Sequence, residues 1–131
     1  AETSLFGNGK PRAELWTPNP LGAKPKDVFE IPTTCNGMNE KTPHPTQKPE
    51  ELLRKLVLAA SDENQSVIDP FSGSGTTLVV AEQLNRRWLG CEINAEYNEW
   101  AIERIKNVMR QPIEKWIEFD QQNARRRKSI R

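Results

Sequence analysis

The sequence predicts an α/β fold, and three observations lead to that prediction. An apolar run, Val67-Ile68, leads into the Gly-rich segment 69–77. A helical pattern begins at about Thr76, and a second short strand over residues 87–92 ends in the carboxylate of Glu92. Because open parallel α/β sheets bind ligands at the carboxyl ends of their strands, this order of elements predicts a ligand site at one sheet edge.

The Gly-rich turn has the properties that a nucleotide-type cofactor needs. Glycine adopts positive φ angles and lets a ligand approach the backbone, and the helix that follows offers unpaired N–H groups. Two familiar cradles fit this turn poorly. A P-loop requires Lys where Thr76 stands, and a dinucleotide fingerprint requires Gly or Ala where Leu78 stands.

Glu92 is the second acid of the predicted site. It follows the turn by roughly the 20 residues that place a ribose-binding carboxylate at the tip of the neighbouring strand. For Asp69 or Glu92 alone, a turn cap or a solvated strand end is the simpler interpretation. Together, with the glycines between them, they favour a cofactor site.

A helix is predicted upstream of the turn, after the segment His44-Pro45-Thr46-Gln47-Lys48-Pro49. Pro49 suits the first position of a helix, and the two acids that follow it favour the positive end of the helix dipole. From these residues alone, a rigid helix entrance is the simpler interpretation. The predicted apolar face consists of Leu52, Leu53, Leu56, Val57 and Ala60.

Two further helices are predicted downstream of the second strand. Asn94 is a suitable cap for the first, and the second begins after Pro112. The apolar pattern then stops before the basic run 125–128, which suits nucleic acid or an acidic partner but also a solvated tail. The expected buried residues of the first helix are Tyr97, Ala101, Ile102, Ile105 and Met109. In the second helix, the residues at helical spacing are Ile113, Trp116, Ile117 and Asp120.

The segments 44–49 and 69–77, in this order and at this spacing, resemble motif X and motif I of the amino-type DNA methyltransferases in the circularly permuted β arrangement. The resemblance runs from about Pro18 to Ile105. It implies a partial Rossmann-like fold that uses S-adenosylmethionine (SAM) to methylate adenine N6 or cytosine N4 in double-stranded DNA. The implied activity is that of a site-specific DNA methyltransferase of the restriction-modification type.

The resemblance also implies a role for each matching residue. Thr46 and Lys48, in the motif that His44 begins, would hold the methionine carboxylate of SAM. Glu92 would hold the ribose hydroxyls, and Ile93 would pack against the adenine. The loop under the methionine part and the sulfur would consist of Asp69, Pro70, Phe71, Gly73 and Gly75, with Ser72, Ser74, Thr76 and Thr77 as nearby donors.

The catalytic motif of this family, Asp/Asn/Ser-Pro-Pro-aromatic, is missing from the chain. No Pro-Pro pair occurs, and the segment 17–21 is only a distant imitation. We therefore expect no activity from the chain alone. A second chain would supply the catalytic motif and complete the sheet, whether the protein is a subunit of a split enzyme or a portion of a longer one. The alternative is a non-catalytic regulatory subunit that binds SAM and DNA.

Composition and charge divide the chain into three predicted regions. Residues 1–43 are rich in Pro and Gly and should form a loop-rich arm, with one strand at about 27–31. The resemblance implies that this arm is the end of the target-recognition region. Residues 44–110 should form the SAM-binding unit, and 111–131 a helix with a basic tail. Candidate contacts to DNA phosphates, which are equally compatible with a solvated surface, are Lys10, Arg12, Lys24, Lys26, Arg125, Arg126 and Arg127.

The remaining composition narrows the class of protein. A net charge of +1, 35% apolar residues and the lack of an apolar run of about 20 residues predict a cytoplasmic protein without a membrane segment. Cys35 and Cys91 are expected to be reduced thiols. One histidine without a Cys/His cluster predicts no metal site.

Overall fold

The computed structural model describes residues 28–108 and 111–130. In chain order, the elements of these two ranges are α1 (Glu50–Ala60), β1 (Ser66–Asp69), α2 (Thr76–Gln83), β2 (Arg87–Gly90), α3 (Ala95–Lys106) and α4 (Ile113–Ser129). The two strands pair in parallel, with Ser66 beside Arg87 and Asp69 beside Gly90. Because parallel neighbours end at the same edge, the loops after β1 and β2 lie side by side.

Helix α2 is the centre of the hydrophobic core. Its apolar residues surround the helix rather than forming one stripe, which is typical of a helix that is covered on all sides. Val80 and Ala81 in α2, and Leu84 just after it, are fully buried. The helix contacts α1, α3 and both strands. Val57 completes the buried cluster, and the half-buried residues packed against it are Leu53, Leu58, Val67, Ile113 and Trp116.

The helix starts follow from local sequence signals. The Asn94 side chain caps α3, as predicted, by accepting hydrogen bonds from the backbone N–H groups of Glu96 at 2.9 Å and Tyr97 at 3.2 Å. Pro49 occupies the cap position of α1 rather than its first helical position, with extended backbone angles (φ −68°, ψ 138°). Both signals therefore place the helix start to within one residue.

The buried faces of α1 and α3 differ from the predicted ones. Leu56, Ala60 and Ile102 are exposed, although the apolar pattern predicts them to be buried. The reason in α1 is polar: Arg54 turns inward to bind Asp120 of α4 with two hydrogen bonds of 2.9 and 2.7 Å. The buried residues of α1 are Glu51, Arg54 and Val57.

Helix α4 is longer than the apolar pattern predicts. It continues through the basic run to Ser129, and Arg127 reaches back to α1, where it donates two hydrogen bonds of 2.8 and 2.7 Å to the Glu51 carboxylate. Of the residues at helical spacing in α4, Ile117 is exposed and Asp120 is buried. The cross-helix ion pairs therefore fix α4 where apolar contacts are few.

The loop-rich arm can be compared with the structure only from residue 28 onward. Residues 28–31 form no strand, contrary to the prediction. Their side chains are largely exposed, and Pro32, which follows them, has no backbone N–H to donate to a neighbouring strand. The predicted contacts Lys10, Arg12, Lys24 and Lys26, together with Met109, lie outside the described residues. Among residues 28–108 and 111–130, no helix is long and apolar enough to cross a membrane.

Candidate cofactor site

The Gly-rich loop lies directly against the segment that follows β2. The backbone N–H of Cys91 donates to the carbonyl of Asp69 at 3.0 Å, and the N–H of Ser72 donates to the carbonyl of Cys91 at 2.9 Å. The ladder between the strands thus continues into the two loops. Their backbones are held together at the predicted sheet edge.

Two glycines in this loop have left-handed backbone conformations. Gly73 has φ +53° and Gly75 has φ +76°, a backbone region that residues other than glycine rarely adopt. A Cβ atom on Gly75 would lie 2.6 Å from the Cβ of Ala101, so α2 begins in close contact with α3. A Cβ atom on Gly73 would lie 3.0 Å from Nε2 of His44. The positive φ angles and the close contacts at both positions therefore agree with the prediction that this turn requires glycine.

The Glu92 carboxylate joins the two loops. Its Oε2 accepts a hydrogen bond from the N–H of Gly73 and its Oε1 accepts one from the N–H of Asn94, each at 2.9 Å. The hydrogen bond from Asn94, followed by that from Gly73, lowers the pKa of Glu92, so the side chain is ionised at neutral pH. The backbone of Ile93 also contributes a hydrogen bond that lowers this pKa. Because a carboxylate offers about four acceptor positions, it still has acceptor capacity for other donors such as ribose hydroxyls.

The upstream motif packs on this loop through His44. The imidazole contacts the edge of Tyr97 at 4.4 Å between ring centroids, and its Nδ1 accepts a hydrogen bond from the N–H of Thr46 at 3.2 Å. Burial lowers the pKa of His44, so the ring is neutral at neutral pH and carries its proton on Nε2, which faces Gly73. Thr46 and Lys48 are exposed, so their side chains are accessible to a ligand.

Gln47 is a structural residue that the sequence interpretation missed. Its buried amide donates to the carbonyl of Glu40 and accepts hydrogen bonds from the N–H and hydroxyl of Thr42 at 2.8 and 2.7 Å. Glu40 in turn accepts a hydrogen bond from the N–H of Glu50 at 2.8 Å, while burial raises its pKa. These contacts hold the motif at the entrance of α1. Nothing in its local sequence distinguishes Gln47 from its exposed neighbours.

The ends of the two loops present apolar side chains beside the carboxylate. Phe71 and Ile93 are exposed by 88% and 101%, respectively. They line one pocket together with Pro70, Cys91 and Glu92. A pocket with apolar walls and one acidic acceptor can take a planar aromatic base that is attached to a hydroxylated sugar.

The polar side chains of the Gly-rich loop mostly serve the loop itself. Asp69 accepts a hydrogen bond from the N–H of Phe71 at 3.1 Å, and the Ser72 hydroxyl donates to the carbonyl of Cys91 at 3.2 Å. Ser74 and Thr76 are buried and accept hydrogen bonds from Arg104. Although the sequence predicts these hydroxyls to be donors near a cofactor, the structure turns those of Ser74 and Thr76 toward α3.

Arg104 is the second residue that the sequence interpretation missed. Its guanidinium donates to the carbonyl of Ser74 at 2.8 Å, to the Thr76 hydroxyl at 3.1 Å and to the Glu50 carboxylate at 2.9 Å. The partners lie between 28 and 54 residues away in the sequence, so no motif spacing indicates them.

The structure brings one group of predicted site residues together and leaves another apart. His44 and the segment 69–77 meet Glu92 and Ile93 at the sheet edge, and Thr46 and Lys48 follow His44 in the chain. Arg125, Arg126 and Arg127 lie on α4; the first two are exposed, and the third is bound to Glu51. In the described part of the chain, no group of three or more His, Cys, Asp or Glu side chains is placed to hold a metal ion.

Comparison with known proteins identifies relatives of this chain. A family model described as DNA methylase matches residues 4–103. The type II methyltransferase M.HpaI of Haemophilus parainfluenzae is 46% identical over 87 residues, which are 66% of this chain and 28% of that protein. The DNA adenine methyltransferase YhdJ of Escherichia coli (strain K12) is 43% identical over 81 residues, 62% of this chain and 28% of that protein. The chain thus spans less than a third of the length of these curated relatives.

A solved structure gives the same result for the fold. The crystal structure of the M1.HpyAVI–SAM complex matches 72% of this chain and 46% of that chain, with a TM-score of 0.53 and 34% identity. It contains the cofactor that the motif resemblance implies. The similarity confirms the predicted fold class, a SAM-dependent methyltransferase fold of which this chain forms a part.

Proposed function

The chain belongs to the DNA methylase family, and from this premise we propose that it is the SAM-binding part of an enzyme that methylates an exocyclic amine of a DNA base. The observation that carries the proposal is the convergence of the two motifs with Glu92 at one sheet edge. Glu92 binds the N–H of Gly73 directly, at 2.9 Å. This contact supports the proposal that the motif residues belong to one site.

The residues present fit SAM at three points. Glu92 has acceptor positions free for the ribose hydroxyls, and the exposed Ile93 can pack on the adenine. Thr46 and Lys48 offer a hydroxyl and an ammonium, which suit a carboxylate. The left-handed turn at Gly73 lets the methionine part approach the backbone. When bound, SAM supplies an electrophilic methyl group, and this chain contributes the positioning of its donor.

We propose adenine N6 rather than cytosine N4 as the target amine. The residue sequence of the motif X region as a whole, residues 44–49, favours adenine. The relative YhdJ, which is named as a DNA adenine methyltransferase, is similar over 62% of this chain. The catalytic motif that would determine the choice has no counterpart in the sequence.

We further propose that the chain works with a second polypeptide segment that carries the catalytic motif and the remaining strands. The sequence contains no Pro-Pro pair. In the described part of the chain the sheet has two strands, and a two-stranded sheet is not stable by itself. Ile68 and Leu89, paired in register on these strands, are exposed by 66% and 58%. An apolar sheet face and open strand edges suit the rest of a larger parallel sheet.

Methyl transfer from labelled SAM to double-stranded DNA tests this function. The chain is assayed alone and together with a segment that carries the Pro-Pro-aromatic motif, and Glu92→Ala serves as the control for the cofactor site. Transfer only by the mixture, with loss in Glu92→Ala, supports the proposal, and the position of the label distinguishes adenine from cytosine. Binding of SAM and DNA without transfer in any mixture would favour the regulatory subunit. A chain that binds no SAM would refute both.

A further inference from the structure

We infer that Arg104 is a positioning residue that couples the Gly-rich loop to the upstream motif at the start of α1, an inference that rests on the proposed SAM site. Arg104 lies near the end of α3, behind the Gly-rich loop. Its guanidinium joins two parts of the chain that the motif resemblance does not connect. One is the Gly-rich loop with the start of α2, and the other is the start of α1, directly after Lys48 and Pro49.

On the Gly-rich loop, Arg104 binds the last turn before α2. Its Nη1 donates to the carbonyl of Ser74 at 2.8 Å and lies 3.3 and 3.1 Å from the hydroxyls of Ser74 and Thr76. These two residues flank Gly75, whose left-handed conformation sets the direction in which α2 leaves the loop. A shift of the guanidinium would therefore change the position of the loop backbone under the methionine part of SAM.

On the upstream side, Arg104 binds the first turn of α1. Its Nη2 donates to Oε1 of Glu50 at 2.9 Å, and both side chains are largely buried, with 11% and 14% exposure. Glu50 follows Lys48, the proposed ligand of the methionine carboxylate, by two residues. The guanidinium is planar and presents a fixed fork of donors, so its two ends hold both partners at a set separation. A lysine ammonium could satisfy either side but not both in this geometry.

The coupling is specific to one end of the proposed cofactor. The proposed ribose and adenine contacts, Glu92 and Ile93, belong to the loop after β2, whereas Arg104 donates its hydrogen bonds to Ser74, Thr76 and Glu50. Loss of Arg104 should therefore weaken ligands that carry the methionine part more than ligands that lack it. A residue that only stabilises the fold would not separate the two classes of ligand.

Isothermal titration of the full chain with SAM and with adenosine tests the inference. The variants are Arg104→Gln and Arg104→Lys, and the matched control is Lys106→Gln, an exposed cation in the same helix. Circular dichroism establishes that each variant is folded at the titration temperature. We expect Arg104→Gln to raise the Kd for SAM by roughly tenfold to a hundredfold, the range for the loss of charged hydrogen bonds. The Kd for adenosine should rise by a smaller factor, Arg104→Lys should be intermediate, and Lys106→Gln should resemble the wild type.

Each other result would overturn the inference at a defined point. Equal losses for SAM and adenosine would give Arg104 a merely structural role, and unchanged SAM affinity in a folded variant would remove its role in the site. If Arg104→Gln does not fold, Arg104→Lys still decides, because it keeps the charge but not the fork. A wild-type chain that binds adenosine but not SAM would refute the proposed function as well, whereas wild-type SAM binding with unaffected variants would refute the inference alone.

Discussion

Substitution of Gly75 by Ala tests the packing that seats the cofactor loop. The new Cβ would lie 2.6 Å from the Cβ of Ala101 and 3.1 Å from its Cα. Carbon atoms prefer separations of about 3.5 to 4.0 Å, so the overlap with the Ala101 methyl group approaches 1 Å. The left-handed φ of +76° adds a cost of about 1–2 kcal/mol. With about 1–3 kcal/mol for overpacking, we expect Gly75→Ala to lower the free energy of unfolding by about 2–5 kcal/mol.

Two further variants separate these contributions in urea unfolding followed by circular dichroism. Gly37 has φ +92° with no atom within 4 Å of an added Cβ, so Gly37→Ala carries the backbone cost alone. Ala101→Gly removes the methyl group that Gly75→Ala would meet. The loss of unfolding free energy in the double variant should therefore be smaller than the sum of the two single losses, by a coupling of about 0.5–3 kcal/mol. A cost for Gly75→Ala no larger than that for Gly37→Ala, or single losses that simply add, would refute the steric contact between positions 75 and 101.

Three other perturbations test separate parts of the structure. Asp120→Asn should lower the free energy of unfolding by about 3 kcal/mol in urea denaturation, because it leaves Arg54, whose side chain is only 3% exposed, without its main counter-charge; a loss below about 1 kcal/mol would mean that the remaining partners suffice. SAM affinity measured by titration calorimetry should be constant above the ordinary Glu pKa of about 4.3 and fall only below it, since backbone N–H groups lower the pKa of Glu92 and keep its carboxylate charged until more acidic pH. A decline that begins near neutral pH would assign the titration to another group. Arg125→Gln and Arg126→Gln should each reduce the slope of log K for DNA against log salt by about 0.9 if these residues contact phosphates, whereas an unchanged slope would leave α4 as a solvated helix.

The local features of the site could be predicted from the sequence because their causes are local. A strand that runs into glycines with positive φ is encoded within residues 66–76, and the Asn94 cap is encoded within four residues. The position of Glu92 opposite Gly73 also follows, because parallel strands joined by one helix must end at the same edge. These predictions need only chain geometry and the short reach of backbone hydrogen bonds.

The misses come from pairs that are distant in sequence. Arg54 and Asp120 are 66 residues apart, and Arg127 and Glu51 are 76 apart. A charged residue on an amphipathic helix is ordinarily solvated, so the pattern of α1 predicts Arg54 to be outside and Leu56 inside. In the structure Arg54 is buried and Leu56 is exposed, because the Asp120 carboxylate on α4 binds Arg54. Such a reversal depends on the docking of two helices, which periodicity within one helix does not determine.

This buried polar network has a consequence for how α4 is held. Arg54 binds Asp120 with two hydrogen bonds while its guanidinium lies 5.0 Å from the Trp116 ring and 5.9 Å from the Phe119 ring. Apolar contacts alone would tolerate small slides of α4, whereas a bidentate ion pair between aromatic rings allows a single register. Because α4 contributes few buried apolar residues, its position depends on this charge pair and on Arg127. Helix α1 carries Arg54 and Glu51, the residues that bind α4, and it begins at Glu50. Arg104 binds both Glu50 and the Gly-rich loop. Helix α1 therefore binds both α4 and the residue that holds the Gly-rich loop. A substitution that moves α4 should also change the position of the Gly-rich loop, because α1 connects the two.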